Sequence, residues 1–316
     1  MNRKKIQEHS YTLILLVVLV LLIGVMATVS PYFFTWKNCR NILNQSAIYL
    51  VLSIGMTFVI SAGQIDLSVG ATIGFSGMMM GLLYKAGIPA IGAIILGLVC
   101  AAMIGWINGV VISYGKINSF IVTLSMMTIL RGLILIWTNS NSIFGFGPVF
   151  TFIGSGKIGP VNMPIVISLV IAALGAMILH KTKFGSYCLF IGSNEVAVNR
   201  SGVNVRKYKT LIFTLCGFCA GVAGAIVTAR LNSAEPLAGQ GYEMDAIAAT
   251  ILGGTSMQGG KGNVVGTVIA CFILNILKNR TYFVGDFLSL SGNIDRNHFD
   301  RTVLISESNQ RKKKEV

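Results

Sequence analysis

Residues 63–74 read GQIDLSVGATIG, a glycine-rich break that carries one carboxylate, Asp66, between two long apolar runs. A carboxylate at bilayer depth costs roughly 2.5–3.5 kcal/mol on insertion scales, so Asp66 lies either in an interfacial loop or against a polar path. Either placement presupposes a membrane around the flanking runs and points to a transporter.

The composition agrees. Of 316 residues, 53% are hydrophobic and 11% charged, against roughly a quarter charged in soluble domains. The apolar runs are too long for barrel strands, which alternate with a period of two, so the spans are helical. Runs of suitable length lie at residues 11–30, 45–62, 67–84, 88–113, 120–137, 163–180, 209–230 and 263–278, with a shorter one at 246–258. The expected fold class is all-α, a polytopic transmembrane bundle of about nine to ten spans. The first run has no small-residue cleavage site of the usual kind and reads as a retained anchor.

The formal charge of +14 does not indicate nucleic acid, because the basic residues do not cluster with aromatics on one soluble face. They gather at Arg3–Lys5, in the 181–209 loop and at Arg311–Lys314, the pattern of cytoplasmic segments under the positive-inside rule. Six spans precede the 181–209 loop, so parity returns it to the side of the basic N-terminus. The polar segment 138–162 is then an external loop.

Arg131 lies within the fifth run, where a cation faces the bundle interior or snorkels to the headgroups; structural pairing is the favoured role over substrate contact. Many of the 36 glycines fall inside runs, as in GFCAGVAG at 217–224. Small residues four apart let helix backbones approach closely. The break at 63–74 has a faint echo at 253–270, GGTSMQGGKGNVVGTVIA. Interrupted segments in opposite halves mark the path in repeat-built transporters.

Catalytic and metal chemistry find little support. In GGTSMQGGKG, Lys261 is followed by Gly262 rather than Ser or Thr, and the residue five before Gly260 is Thr255, so the P-loop pattern fails. Any ATP dependence therefore resides in another subunit, and the chain is not expected to be an enzyme. His9, His180 and His298 have no metal-ligand spacing. Cys39, Cys100, Cys188, Cys216, Cys219 and Cys271 are scattered, and the CxxC at 216–219 sits in an apolar run without a second pair, so the cysteines read as packing residues. No catalytic residue, metal or cofactor is implied.

The basic loop contains GSNEVAVNRSGVNVRKYKT at 192–210. Residues 195–199 suit a short helix, with Ser193 or Asn194 as cap and Ser201-Gly202 as stop. Such a helix on the cytoplasmic face can dock a partner; an ordinary solvated loop is the alternative.

GMTFVISAGQIDLSVGA, TLSMMTILRG, the GSNEVAVNRSGVNV loop and ARLNSAEPLAGQGYEMDAIAATILGGTSMQGGKGNVVGT together resemble the permease subunit of bacterial ribose-type sugar ATP-binding-cassette importers, over roughly residues 15–278. The resemblance implies a multi-pass protein of the bacterial inner membrane that works as a dimer with a second copy or a related permease. It further implies cytoplasmic ATPase subunits, an extracytoplasmic sugar-binding protein, and a pentose such as ribose or a similar monosaccharide as cargo. By this analogy Gly192, Asn194, Glu195, Ser201 and Gly202 belong to the ATPase-coupling loop, and the path opens at the dimer axis by alternating access. Gly63, Asp66, Ser68, Gly70, Gly253 and Gly254 are the gate or path candidates, with Asp66 in a structured turn between spans rather than bound to sugar. Alternatives are a permease of the same type for a nucleoside or furanose signalling molecule, and an ATP-independent channel or carrier.

Residues 1–278 are expected to form the permease domain and 279–316 an atypical C-terminal segment with a basic cytoplasmic tail. Where the family carries another apolar helix, residues 280–301 read RTYFVGDFLSLSGNIDRNHFDR. For one choice of codons, reading one base later yields the apolar GLILLGISSLYQEISIGIILIG. Two compensating frame shifts are therefore hypothesised here, a reading that fails if the gene's own bases cannot produce that string.

Overall fold

Long apolar runs bounded by Gly, Pro and Asn produce long helices, because in lipid every backbone N–H and C=O must be satisfied within the segment. The computed structural model describes residues 3–279, with side chains from Ser10 onward, and among these residues the chain is helical apart from short connections. The elements are α1 (Arg3–Val29), α2 (Trp36–Ser61), α3 (Val69–Lys85), α4 (Ala90–Gly115), α5 (Ser119–Thr138), β1 (Ile143–Phe144), α6 (Pro148–Ser155), β2 (Lys157–Ile158), β3 (Val161–Asn162), α7 (Met163–Lys181), α8 (Lys183–Arg200), α9 (Val205–Leu231), β4 (Ser233–Ala234), α10 (Tyr242–Leu252) and α11 (Val264–Asn279). Contacts divide the chain into Met1–Leu274 and Asn275–Val316; the description below concerns the first unit. The frame-shift reading and the basic tail fall outside the described residues.

Six helices, α1 from Ser10, α2, α4, α5, α7 and α9, are long and apolar enough to cross a bilayer. The runs at 67–84, 246–258 and 263–278 correspond to shorter helices, α3, α10 and α11, of which α10 begins earlier and ends sooner than its apolar run.

α2 and α9 are buried over most of their length, whereas α1, α4, α5 and α7 bury less than a third of theirs. The central helices accordingly carry small and hydroxyl residues. Ser53, Thr57, Cys216 and Ala220 are buried beside Val51, Phe58 and Phe213, and Thr57 Oγ1 donates to the Ser53 carbonyl at 2.8 Å, which satisfies a hydroxyl inside an apolar bundle.

α4 and α9 meet along two facing small-residue repeats, Gly105–Gly109 and Gly217–Gly221. A Cβ on Gly105 would come within 2.2 Å of the Phe213 carbonyl oxygen, and one on Gly217 within 2.4 Å of the Ala101 carbonyl oxygen. Backbone contact of this kind is what small residues four apart permit in a membrane.

The segment 138–162 is more than the loop its composition suggests. Pro148 at the start and Gly156 at the end bound α6, whose Phe150 is fully buried with Phe146 and Met80. β1 pairs antiparallel with β4, Ile143 opposite Ala234 and Phe144 opposite Ser233; β2 and β3 form a hairpin. The β1–β4 ladder ties this segment to the chain that follows α9.

Candidate functional site

Three breaks in helical structure organise the first unit. The first is the kink in α8. Asn194 leaves helical geometry (φ −161°, ψ 92°), and its Oδ1 accepts from the Ala197 amide at 2.9 Å, the bond by which an Asn N-cap opens a helix. The resulting short helix ends at Ser201 and Gly202, whose φ of +82° suits a residue without Cβ. Residues 193–197, 199 and 200 are exposed, including the side chain of Val196. Glu195 Oε2 accepts from Lys209 Nζ at 2.7 Å, which joins this helix to the first turns of α9.

The second place is a junction of backbones beside that kink. The Gly260 amide donates to the Ser61 carbonyl at 2.8 Å, and Gly192 fits between them. A Cβ on Gly192 would lie 2.0 Å from the Ser61 oxygen and 2.5 Å from the Gly260 nitrogen. Gly63 lies against the same strand of contacts, its Cβ position 3.9 Å from the Gly192 Cα. A cleft of about 630 Å³ opens next to it, lined by Gly63, Gln64, Ser113, Asn118, Glu195 and Lys209 among others. Gly63 from one sequence-marked group and Glu195 from the other thus line one cleft on the face of the basic loop.

Asp66 is fully buried in the turn between α2 and α3. Its Oδ1 accepts from the Ser68 amide at 2.9 Å and the Ser68 hydroxyl at 2.6 Å. Asn108 Nδ2 of α4 donates to Ser68 Oγ at 2.9 Å, and the Leu67 amide donates to Thr123 Oγ1 of α5 at 3.1 Å. The carboxylate therefore shapes a turn that clasps α4 and α5. Hydrogen bonds to a charged acceptor contribute about 1.5–3 kcal/mol. Asp66→Ala is expected to destabilise the purified protein by roughly that much, a fall readable in a thermal melt, while any cargo preference in a competition assay stays unchanged.

The third break is the non-helical chain from Asn232 to Gly241, between α9 and the short α10. Arg131, past the midpoint of α5, donates through one terminal nitrogen to the Pro236 and Ala238 carbonyls, at 3.1 and 2.9 Å. Its other terminal nitrogen donates to the Gly70 carbonyl at 3.3 Å. Irregular backbone at membrane depth persists where protein groups satisfy it, and here a guanidinium fork does so. Glu243, in the first turn of α10, is buried, and its Oε2 has no hydrogen-bond partner among the described residues. Gly70 leaves room for that carboxylate, since a Cβ there would come within 2.0 Å of Oε2. Tyr49, Tyr242 and Arg230 gather on the other side of α10, with the two tyrosine rings 4.8 Å apart.

The six gate candidates thus divide among separate places. Gly63 is at the junction, Asp66 and Ser68 in the turn, and Gly70 against the third break. Gly253 packs on Gly266 and Thr267, and Gly254 on Tyr11 of α1. Asn108 and Lys209 lie within an apolar and a basic run, and each acquires its meaning from a partner on another element, Ser68 and Glu195; Glu243 acquires its own from the Gly70 backbone beside it. The GQGYEMDA stretch, three acidic or amphipathic side chains after two glycines, was the available signal for α10.

Six helices long and apolar enough to cross a bilayer, with α2 and α9 buried among the others, define a polytopic helical membrane protein. The family model described as branched-chain amino acid transport system / permease component matches residues 38–294, and the chain belongs to this family. It is 40% identical over 274 residues to the ribose import permease protein of Escherichia coli (strain K12), covering 85% of each chain. The ribose import permease protein of Bacillus subtilis (strain 168) is 41% identical over 269 residues, 84% of each. The D-allose transport system permease protein of Escherichia coli (strain K12) is 35% identical over 275 residues, again 84% of each. No solved structure matches significantly. With its relatives and its apolar helices, the chain is a multi-pass protein of the bacterial inner membrane.

Proposed function

We propose that the chain is the membrane-spanning subunit of an ATP-driven importer for a pentose such as ribose or a similar monosaccharide. The observation that carries this reading is the 40% identity, along most of both chains, to proteins named as ribose import permeases. The D-allose relative favours a second cargo within the same class, a hexose of similar size.

In this reading α3, α10 with its preceding break, and α11 supply the further passages of a bundle of about nine to ten spans. The face with the basic loop is cytoplasmic. The exposed helix at 195–200 docks a cytoplasmic ATPase subunit, an external binding protein delivers the sugar to the opposite face, and a second permease copy or a related permease completes the pathway. ATP binding closes the ATPase pair, and its docking contacts favour one permease state over another. The junction at Ser61, Gly192 and Gly260 supports this scheme, because displacement of the short helix meets two other segments within hydrogen-bond distance.

Co-purification of the ATPase subunit with the tagged permease tests the docking site. Glu195→Ala removes the partner of Lys209, whose side chain is 11% exposed, and is expected to weaken co-purification several-fold. Deletion of residues 192–202 is expected to abolish it. Full retention of the ATPase by a correctly inserted deletion variant would refute this docking site.

A further inference from the structure

An exposed side of the α4–α9 seam carries a groove lined by both helices. Trp106, Val110 and Tyr114 of α4 face Lys207, Thr210 and Leu211 of α9 across a cavity of about 380 Å³. The groove arises from the glycine seam beneath it: with Gly105 and Gly109 drawing the backbones together, the large side chains beside the seam stand apart as walls. The α4 wall repeats every four residues and extends about 12 Å along the helix, from Tyr114 beside the basic loop to Trp106 deeper in the apolar layer. Trp106 and Tyr114 are each about half exposed. On the same flank of α4 Met103, Ile107 and Val111 are exposed apolar residues, as expected of a surface that meets lipid.

The shallow end of the groove is cationic. The Arg206 guanidinium lies 5.6 Å from the centre of the Tyr114 ring, within cation–π range, and Lys207 follows it. Among the described residues the ion pair of this region is Lys209–Glu195. Lys209 is two residues beyond Lys207 and so points to a different side of α9. Neither Arg206 nor Lys207 belongs to a salt bridge there.

We propose that this groove binds an anionic phospholipid, with its phosphate at Arg206 and Lys207 and one acyl chain along Val110 and Trp106. Aromatic residues at headgroup level and basic pockets between helices at an anionic leaflet are the chemistry that recognises such a lipid. A protein docking from the aqueous face reaches the cations but not the deep apolar wall, whereas a phospholipid fills both ends at once.

The test uses the purified full chain in phosphatidylcholine nanodiscs with or without phosphatidylglycerol, with retained lipids counted by native mass spectrometry and stability followed by thermal melting. The wild type is expected to retain phosphatidylglycerol and to melt higher in its presence. The Arg206→Gln, Lys207→Gln double variant, which alters two exposed side chains and leaves the core intact, is expected to retain it about tenfold less and to lose the melting shift. Trp106→Ala is expected to lower retention as well, while Lys181→Gln, on the same basic face but outside the groove, leaves it unchanged. Undiminished retention by the double variant would overturn the proposal, as would an equal fall with Lys181→Gln. A double variant that keeps its lipid but no longer holds the ATPase subunit would assign the groove to protein docking instead. The readout needs no transport and stands apart from the functional reading above.

Discussion

Arg131→Met is expected to remove nearly all transport. Methionine keeps the apolar length of the side chain but leaves the carbonyls of Pro236, Ala238 and Gly70 without their charged donor. Each such bond contributes about 1.5–3 kcal/mol, and its loss from a buried site carries the desolvation penalty of the abandoned acceptor. Even with partial relaxation the total reaches about 3 kcal/mol, which for a chain of this size corresponds to a melting shift of about 5 °C. The cost falls on the segment between α9 and α10, so the start of α10 and the buried Glu243 lose their position. Uptake is expected to fall about 100-fold, as a loss of about 3 kcal/mol in the competent arrangement implies. Arg131→Lys supplies one ammonium in place of a planar fork and cannot reproduce the spread of bonds to three carbonyls. Its melting temperature and uptake should lie between those of the wild type and the methionine variant. An Arg131→Met protein with wild-type melting and uptake would show that the guanidinium does not hold the break.

Gly192→Ala is expected to uncouple the two faces of the same machine. The added Cβ meets the Ser61 oxygen and the Gly260 nitrogen, both backbone atoms at distances that real Cβ atoms do not adopt, so no rotamer change relieves the clash. α8 must separate from the end of α2 or from the loop before α11, breaking the 2.8 Å bond between Gly260 and Ser61. Overpacking of this kind costs about 1–3 kcal/mol. Because the junction adjoins the short helix at 195–200, which we propose docks the ATPase subunit, the expected signature is functional: ATP hydrolysis by the assembled complex continues while sugar moved per ATP drops about tenfold or more. Gly202→Ala is the matched control. Gly202 has φ +82° and no atom lies within 4 Å of a methyl added there, so the cost is the backbone strain of about 1–2 kcal/mol without displacement of a neighbouring segment. Equal coupling in the wild type and Gly192→Ala would contradict a role for the junction.

Local chemistry was legible in the sequence where both partners lie within a few residues. The apolar runs became helices, Asn194 caps the turn it precedes, Gly202 ends it, and Asp66 folds back on Ser68. The GFCAG repeat likewise marks a close backbone approach, although its counterpart at 105–109 is fixed by packing. What the sequence concealed depends on partners far apart in the chain. Arg131 bonds carbonyls more than a hundred residues away, and a carbonyl has no side-chain identity to reveal it. β1 reaches β4 across four helices, and α6 lies in a segment whose Asn, Ser and Gly content resembles a plain loop. The gate candidates share a glycine-rich character, yet Gly253 and Gly254 serve contacts with α11 and α1, remote in sequence from those of Gly70 with Glu243.

The central claim is that this chain moves a simple sugar only as part of an ATP-driven assembly. The most direct measurement is uptake of radiolabelled ribose into proteoliposomes containing the chain, its ATPase subunit and the loaded binding protein, with omission of ATP and of each protein in turn. The expected result is accumulation against a gradient that requires ATP and every component. Uptake at the same rate by the chain alone, without ATPase or nucleotide, would contradict the account and identify an independent channel or carrier.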